Sequence, residues 1–454
     1  MIRKWRNAAV ACLILSTAVL ANACVPSGIG SPTAGTAPTG STASTVATAA
    51  STEPRPPVEL DVWYWSSLDS ENGSDQYRKL FSDWNASHAD VQVRVSEYEI
   101  EAYRTKIKTA LAAGEVPDIF AMWDGSFIKP YIKTGNMLEL DAWLPDDFES
   151  RIKTGLLASC QLDGKTYSVP VYTFIANLYC NTTLFVKAGA AIPTTWDELL
   201  DAVRALRKAG ITPVALGQKD KWPGIYWYDI LAMRTAGFAE SQNALHYPTL
   251  FVREPFVEAA RMLVELSDLG AFGADAFEMG FNDMVDSFCR GEAAMIYQGN
   301  WIDYSIENEQ SHVKGQVVSV PFPVVRHGKG TVRDFLGGNV DSFCIKAGTL
   351  YPQEAVDVLV EVCERGGTEG EAQGMGISCW KPKDGNVVER PTTGLIGQTI
   401  ALLDTGRNFL GWWDMILPAA ASENHKNLVT DLLGRQIKPE EFAAEMAKLI
   451  GSQY

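Results

Sequence analysis

The 454 residues carry 39 basic and 55 acidic side chains, a formal net charge of −16. A surface so acidic repels phosphate backbones, which sets nucleic-acid binding aside while saying little about an uncharged ligand. The length exceeds one ordinary core and suits two lobes, and 46% apolar with 21% charged residues is a globular balance that needs no covalent staples.

The first 23 residues have the three-part build of an export signal: Arg3, Lys4 and Arg6, an apolar run from Ala8 to Leu20, then small residues before Cys24. The apolar run is about 13 residues, too short to span a bilayer as a helix. Leu20-Ala21-Asn22-Ala23-Cys24 resembles a bacterial lipobox, although Ala21 stands where leucine is usual. That resemblance implies that the Cys24 thiol takes a diacylglycerol and becomes the new N-terminus; ordinary secretion with an incidental cysteine is the alternative. Two acyl chains suffice for stable anchoring. From there to Pro57 the chain is almost wholly Ser, Thr, Ala, Gly and Pro, without an apolar period to offset the entropy of ordering. Residues 24–57 therefore read as a tether with an end-to-end distance of roughly 30 Å. Residues 1–57 hold four of the 39 basic and one of the 55 acidic residues, so the body carries 35 against 54, about −19.

The body opens with the alternating strand Val58 to Trp65, followed by Ser66, Ser67 and acidic loop residues. A helix around Tyr77 to Trp84 and a strand Val91 to Val95 complete a βαβ opening. Tyr103, Ile107, Ala110 and Leu111 mark one face of a second helix that Gly114 is placed to end. Pro117 to Met122 is then a short buried strand whose carboxyl end delivers Trp123 and Asp124, the place where open α/β sheets gather ligands. Thr195-Trp196-Asp197-Glu198 is a capping box before a helix carrying Leu199, Val203 and Leu206, and Gly210 to Leu216 reads as the next strand. No repeat of solenoid period is visible.

Six cysteines lie in the body: Cys160, Cys180, Cys289, Cys344, Cys363 and Cys379. None has the close spacing of a zinc or redox site, so no metal is expected, and fifteen pairings are open in an oxidising compartment. Several sit in apolar runs such as Phe343-Cys344-Ile345, which favours buried free thiols.

The order of these segments resembles the extracellular solute-binding proteins of ABC importers, in the sugar-binding, maltose-binding-protein-like branch (family 1). The pieces include Leu111-Ala112-Ala113-Gly114 with Pro117-Asp118-Ile119-Phe120, Gly135-Asn136-Met137-Leu138, Asp163-Gly164-Lys165-Thr166-Tyr167, Ala188-Gly189 with Ile192-Pro193, and Gly291-Glu292-Ala293-Ala294-Met295 with Gly299-Asn300-Trp301. Cys180 departs from the tyrosine often found before Asn181. The resemblance implies an α/β, two-lobed periplasmic-binding-protein-like fold (type II), each lobe a sheet flanked by helices and joined by a hinge. Lobe I would take residues 58–173 plus 336–378, and lobe II residues 174–335 plus 379–454. It further implies a carbohydrate ligand held between the lobes, delivery to the permease of an ABC importer, no cofactor, no catalysis, and a monomer at the membrane surface.

Sugars present apolar C–H faces and hydroxyl edges, so a site for them combines aromatic platforms with carboxylates and amides. By the resemblance, Trp301 occupies a Gly-x-Trp turn that carries a cleft aromatic, and one of Trp412 and Trp413 stacks on ligand while the other packs, with Asp414 beside them. Asp124, flanked by Trp123, matches an acidic residue that accepts sugar hydroxyls. Ser66 and Ser67 end the first strand; Tyr172 and Thr173 lie at the first crossing, and Gly337-Gly338-Asn339 at the second. Of Trp222, Tyr226, Trp227 and Tyr228, at least one faces the cleft; Trp222 and Tyr228 are taken as candidates. Rival readings are a glycoside hydrolase, for which no carboxylate pair can be named, a sensing or adhesion receptor of the same fold, and a receptor for polyamines or glycerol phosphates.

Overall fold

The computed structural model describes residues 56–66, 75–124, 127–382 and 394–451. The signal, Cys24, nearly all of the tether and Ser67 lie outside the described residues.

The βαβ opening is β1 (Val58–Ser66), α1 (Asp75–Ser87) and β2 (Val91–Glu99), with β1 and β2 parallel from Val58 opposite Val91 to Ser66 opposite Glu99. Leu60, Val62 and Tyr64 alternate into the core as the period of a strand requires. α2 (Ile100–Ala113) follows without a loop and ends at Gly114, whose φ of +72° is the left-handed cap. β3 (Ile119–Trp123) is buried throughout and pairs parallel to β1.

Two long strands join the lobes. β4 (Ser168–Asn181) is buried at all 14 positions. It pairs from Ser168 through Ile175 with β8 (Asp334–Ile345), and from Ala176 onward with β6 (Ala293–Gly299) and β7 (Val317–Val320). Between them come α3 (Trp196–Lys208), with both halves of the Thr195/Glu198 capping box formed, β5 (Thr212–Val214) and α4 (Trp222–Ala236). The sheet path among the described residues is β2-β1-β3-β8-β4-β6-β5, with β8 antiparallel to both of its neighbours β3 and β4, and β5 parallel to β6. Both crossings occur where pairing changes: β4 leaves β8 and joins β6 between Ile175 and Ala176, and the β8 register breaks between Gly337 and Val340.

Gly337 has φ +133°, and a Cβ there would lie 2.2 Å from the Phe174 carbonyl oxygen, so only glycine lets the two crossing strands approach. α5 (Pro352–Gln373) returns along β4 and ends at β9 (Ile377–Ser378), which pairs with Thr173 and Tyr172. Cys379, Trp380 and Lys381 hydrogen-bond to residues 151–171. The Cys379 amide donates to the Val171 carbonyl, the Lys153 amide to the Cys379 carbonyl, and the Trp380 indole to the Pro170 carbonyl at 2.7 Å. β10 (Asn408–Leu410) then pairs with the start of β8, and α6 (Ala419–Leu433) packs on α4.

Candidate functional site

A cavity of about 1060 Å³, including its part open to solvent, lies where the lobes face one another. The sheet register builds its floor. Asp341 of β8 is the Cα partner of both Trp123 on β3 and Tyr172 on β4, so three neighbouring strands project an indole, a carboxylate and a phenol from one row. Trp65 lies parallel to Trp123 with ring centroids 4.2 Å apart, and the Arg104 guanidinium of α2 sits 4.3 Å from the Trp123 ring. The Tyr172 hydroxyl lies 2.8 Å from Gln76 Oε1 and 2.6 Å from the Gly366 carbonyl oxygen, which locks the phenol in place.

The opposite wall comes from the second lobe. Trp222 and Tyr226 are i and i+4 on α4 and share the face turned to the cavity. Trp412 stacks on Tyr226 at 4.5 Å, and Trp301 meets Trp412 edge-on at 5.3 Å. Gly299 makes the Trp301 turn possible, because a Cβ there would lie 2.2 Å from the indole ring.

Trp123, Tyr172, Trp222, Trp301 and Trp412 of the expected residues thus line one cavity. Others are placed elsewhere. Asp124, fully buried, does not line it; its carboxylate accepts from the Val340 amide at 3.0 Å and pins β3 to the second crossing. Tyr228 follows Tyr226 by two residues, about 200° around the helix, and packs in the core against Phe442 and Trp413. Trp413 is fully buried against Phe251 and Tyr228, so of the adjacent indoles Trp412 faces the cavity and Trp413 the core. Asp414 lies behind that wall, 3.7 Å from Lys426 Nζ. Trp227 packs against Tyr297 and Phe322. Ser66 ends β1 opposite Glu99, and Asn339 lies in β8 at the crossing.

Sequence reasoning missed Asp341, Trp65, Arg104 and Gln76. Trp65 stands at the carboxyl end of β1, where open α/β sheets gather ligands, so strand position carried a signal for it. Nothing in the local pattern distinguished Arg104 from other helix-surface cations.

Burial raises the Asp341 carboxyl to about 8, with Asp124 adding to the rise and Arg104 opposing it. The six body cysteines are free thiols, five of them buried, and burial pushes Cys160 up to about 12. No group of three or more metal-ligating side chains, and no helix long and apolar enough to cross a membrane, occurs among the described residues.

Two α/β lobes joined by crossing strands, with an aromatic cleft between them, define a two-domain solute receptor. The chain belongs to the bacterial extracellular solute-binding protein family, whose model matches residues 70–359. It is similar to a chain solved in work on xylan utilization by the thermophilic bacterium Caldanaerobius polysaccharolyticus, 31% identical with TM-score 0.82, covering 86% of this chain and 99% of that one. A chitin oligosaccharide binding protein shares the fold at 24% identity and TM-score 0.78. Among curated relatives, the multiple sugar-binding protein of Streptococcus mutans is 22% identical over 61% of this chain and 65% of its own length. The melibiose/raffinose/stachyose-binding protein of Bacillus subtilis is 22% identical over 66% of this chain and 69% of its own. An uncharacterized ABC transporter extracellular-binding protein of Pyrococcus horikoshii is matched over 66% of its length, so the chain spans about two thirds of such relatives.

Proposed function

We propose that this chain captures a short neutral oligosaccharide between its lobes and hands it unchanged to the permease of an ABC importer. It does so outside the cytoplasm, as a monomer held at the membrane by a lipid on Cys24. The observation that carries this reading is the pairing of opposed indole and phenol walls with a sparse polar set, Asp341, Arg104, Gln76 and Ser342, in one cleft. Such walls suit flat sugar faces, and each polar group serves one or two hydroxyls. Asp341 is the single carboxylate among the described lining residues, which supports binding over glycoside hydrolysis, since hydrolysis uses a flanking pair. Arg104 is paired with Glu101 at 3.3 Å and the Asp341 carboxyl stays protonated below about pH 8, so neither offers an unbalanced charge to a polyamine or a phosphorylated ligand. The relative from xylan utilization makes β-linked xylo-oligosaccharides the first probes.

Isothermal calorimetry of the purified protein against xylo-, chito- and malto-oligosaccharides, raffinose and spermidine tests this. We expect saturable one-to-one binding to a neutral saccharide, with no reducing ends released on prolonged incubation. At about 100 times its Kd that ligand adds about 2.7 kcal/mol and raises the Tm. Heat with spermidine alone, or accumulation of cleaved sugar, would reverse the reading.

A further inference from the structure

The first turn of α2 reaches across the mouth of the cleft. Glu101 Oε1 accepts a hydrogen bond of 3.1 Å from Trp222 Nε1, and Glu99 Oε1 accepts one of 3.2 Å from Asn282 Nδ2. The two carboxylates belong to the first lobe, whereas Trp222 opens α4 and Asn282 lies in the helix Phe281–Cys289 of the second. Each carboxylate is held on its own side before it reaches over. Glu99 Oε2 caps α2 by accepting from the amides of Glu101 and Ala102, both at 2.9 Å. Glu101 lies 3.3 Å from Arg104 Nε, whose guanidinium rests on Trp123.

The second lobe's side is held as firmly. Trp222 is 4% exposed and packs on Phe281 with ring centroids 4.7 Å apart. Lys221, just ahead of it, has φ +65°, a backbone state costly for a side-chain-bearing residue. Its Nζ donates to Asn427 at 2.7 Å, and strain of this kind persists where the surroundings over-determine a position. Further along α2, Lys108 and Glu423 stand 3.7 Å apart, an exposed pair of little weight.

We propose that the first turn of α2 is the latch of the cleft, Glu101 and Glu99 gripping Trp222 and Asn282 so that protein-to-protein hydrogen bonds set how long a ligand is retained. Glu101 is then a positioning residue, because it acts through an indole that walls the cavity. The inference rests on the reading above for its ligand but not for its geometry, and the experiment separates the two.

Dipolar distances are measured between spin labels at the exposed positions Lys129 and Lys187, each replaced by cysteine in a Cys289→Ser background, and xylotetraose dissociation is followed by stopped-flow tryptophan fluorescence. Glu101→Ala combined with Asn282→Ala leaves the Glu99 cap intact. We expect it to move the ligand-free distances toward a more open population and to speed dissociation about tenfold, with association no slower than in wild type. Glu101→Gln keeps the Oε1 acceptor and is expected to behave as wild type in both measurements. Equal distances and equal dissociation rates in the double variant and wild type would overturn the latch. If wild type binds no saccharide, the ligand reading fails, and the ligand-free distances alone decide the latch: a shift supports it and identity rejects it.

Discussion

At Asp341 two demands meet, since the side chain closes a row between Trp123 and Tyr172 and yet opens on the cleft. Its carboxyl titrates near 8 in the fold against an ordinary value of 3.8. Between those pH values the unfolded chain has released a proton that the folded chain still holds, so stability is full below about 4 and declines as pH rises toward 8. Asp341→Asn removes that dependence. Its Tm gain over wild type should be larger at about pH 8.5 than at about pH 4.5, and an equal gain at both would refute the burial argument. Comparing the variant with wild type is necessary because burial also raises Asp303, to about 7. The adjacent indoles give a second contrast. Trp412→Ala removes a cavity wall, and truncating a packed aromatic at a binding site costs about 2 kcal/mol or more, roughly thirtyfold in affinity. Trp413→Phe should leave affinity unchanged while lowering the Tm, because that ring meets Phe251 and Tyr228 in the core.

At the scale of elements, the crossing strands decide how the lobes can move. β4 and β8 touch at Gly337 opposite Ile175 and at Val340 opposite Thr173, with the register broken between. A Cβ at Gly337 would meet backbone, which cannot swing aside as a side chain can. Gly337→Ala should therefore lower stability by about 1–3 kcal/mol in urea unfolding, and unchanged stability would show that the crossing yields. Asp124, holding the Val340 amide from β3, braces the same crossing from the first lobe. Its place at the carboxyl end of a strand was correctly read, and there it accepts from the backbone of an adjacent antiparallel strand.

For the whole molecule, opposed aromatic walls on separate lobes mean that a ligand gains its full contact only when both lobes are together, and that difference in affinity is what drives closure. The latch contacts share this property, since Glu101 and Trp222 meet only across the mouth. Trp222, Tyr226 and Trp412, each under 5% exposed, are buried by packing on one another.

Local pattern sufficed for the βαβ opening, the Gly114 cap, the Thr195 capping box and the turn that carries Trp301, because each depends on neighbours within a few residues. The expected export signal and tether rest on composition, which is equally local. Which aromatics face the cleft was settled only by tertiary structure. Trp412 and Trp413 have the same chemistry and adjacent positions, and the two faces of α4 are both apolar, so no periodicity separates wall from core. Asp341 became a cleft carboxylate, and Asp124 a brace, through strand register across three strands, a relation between residues 169 to 218 apart that local sequence does not encode.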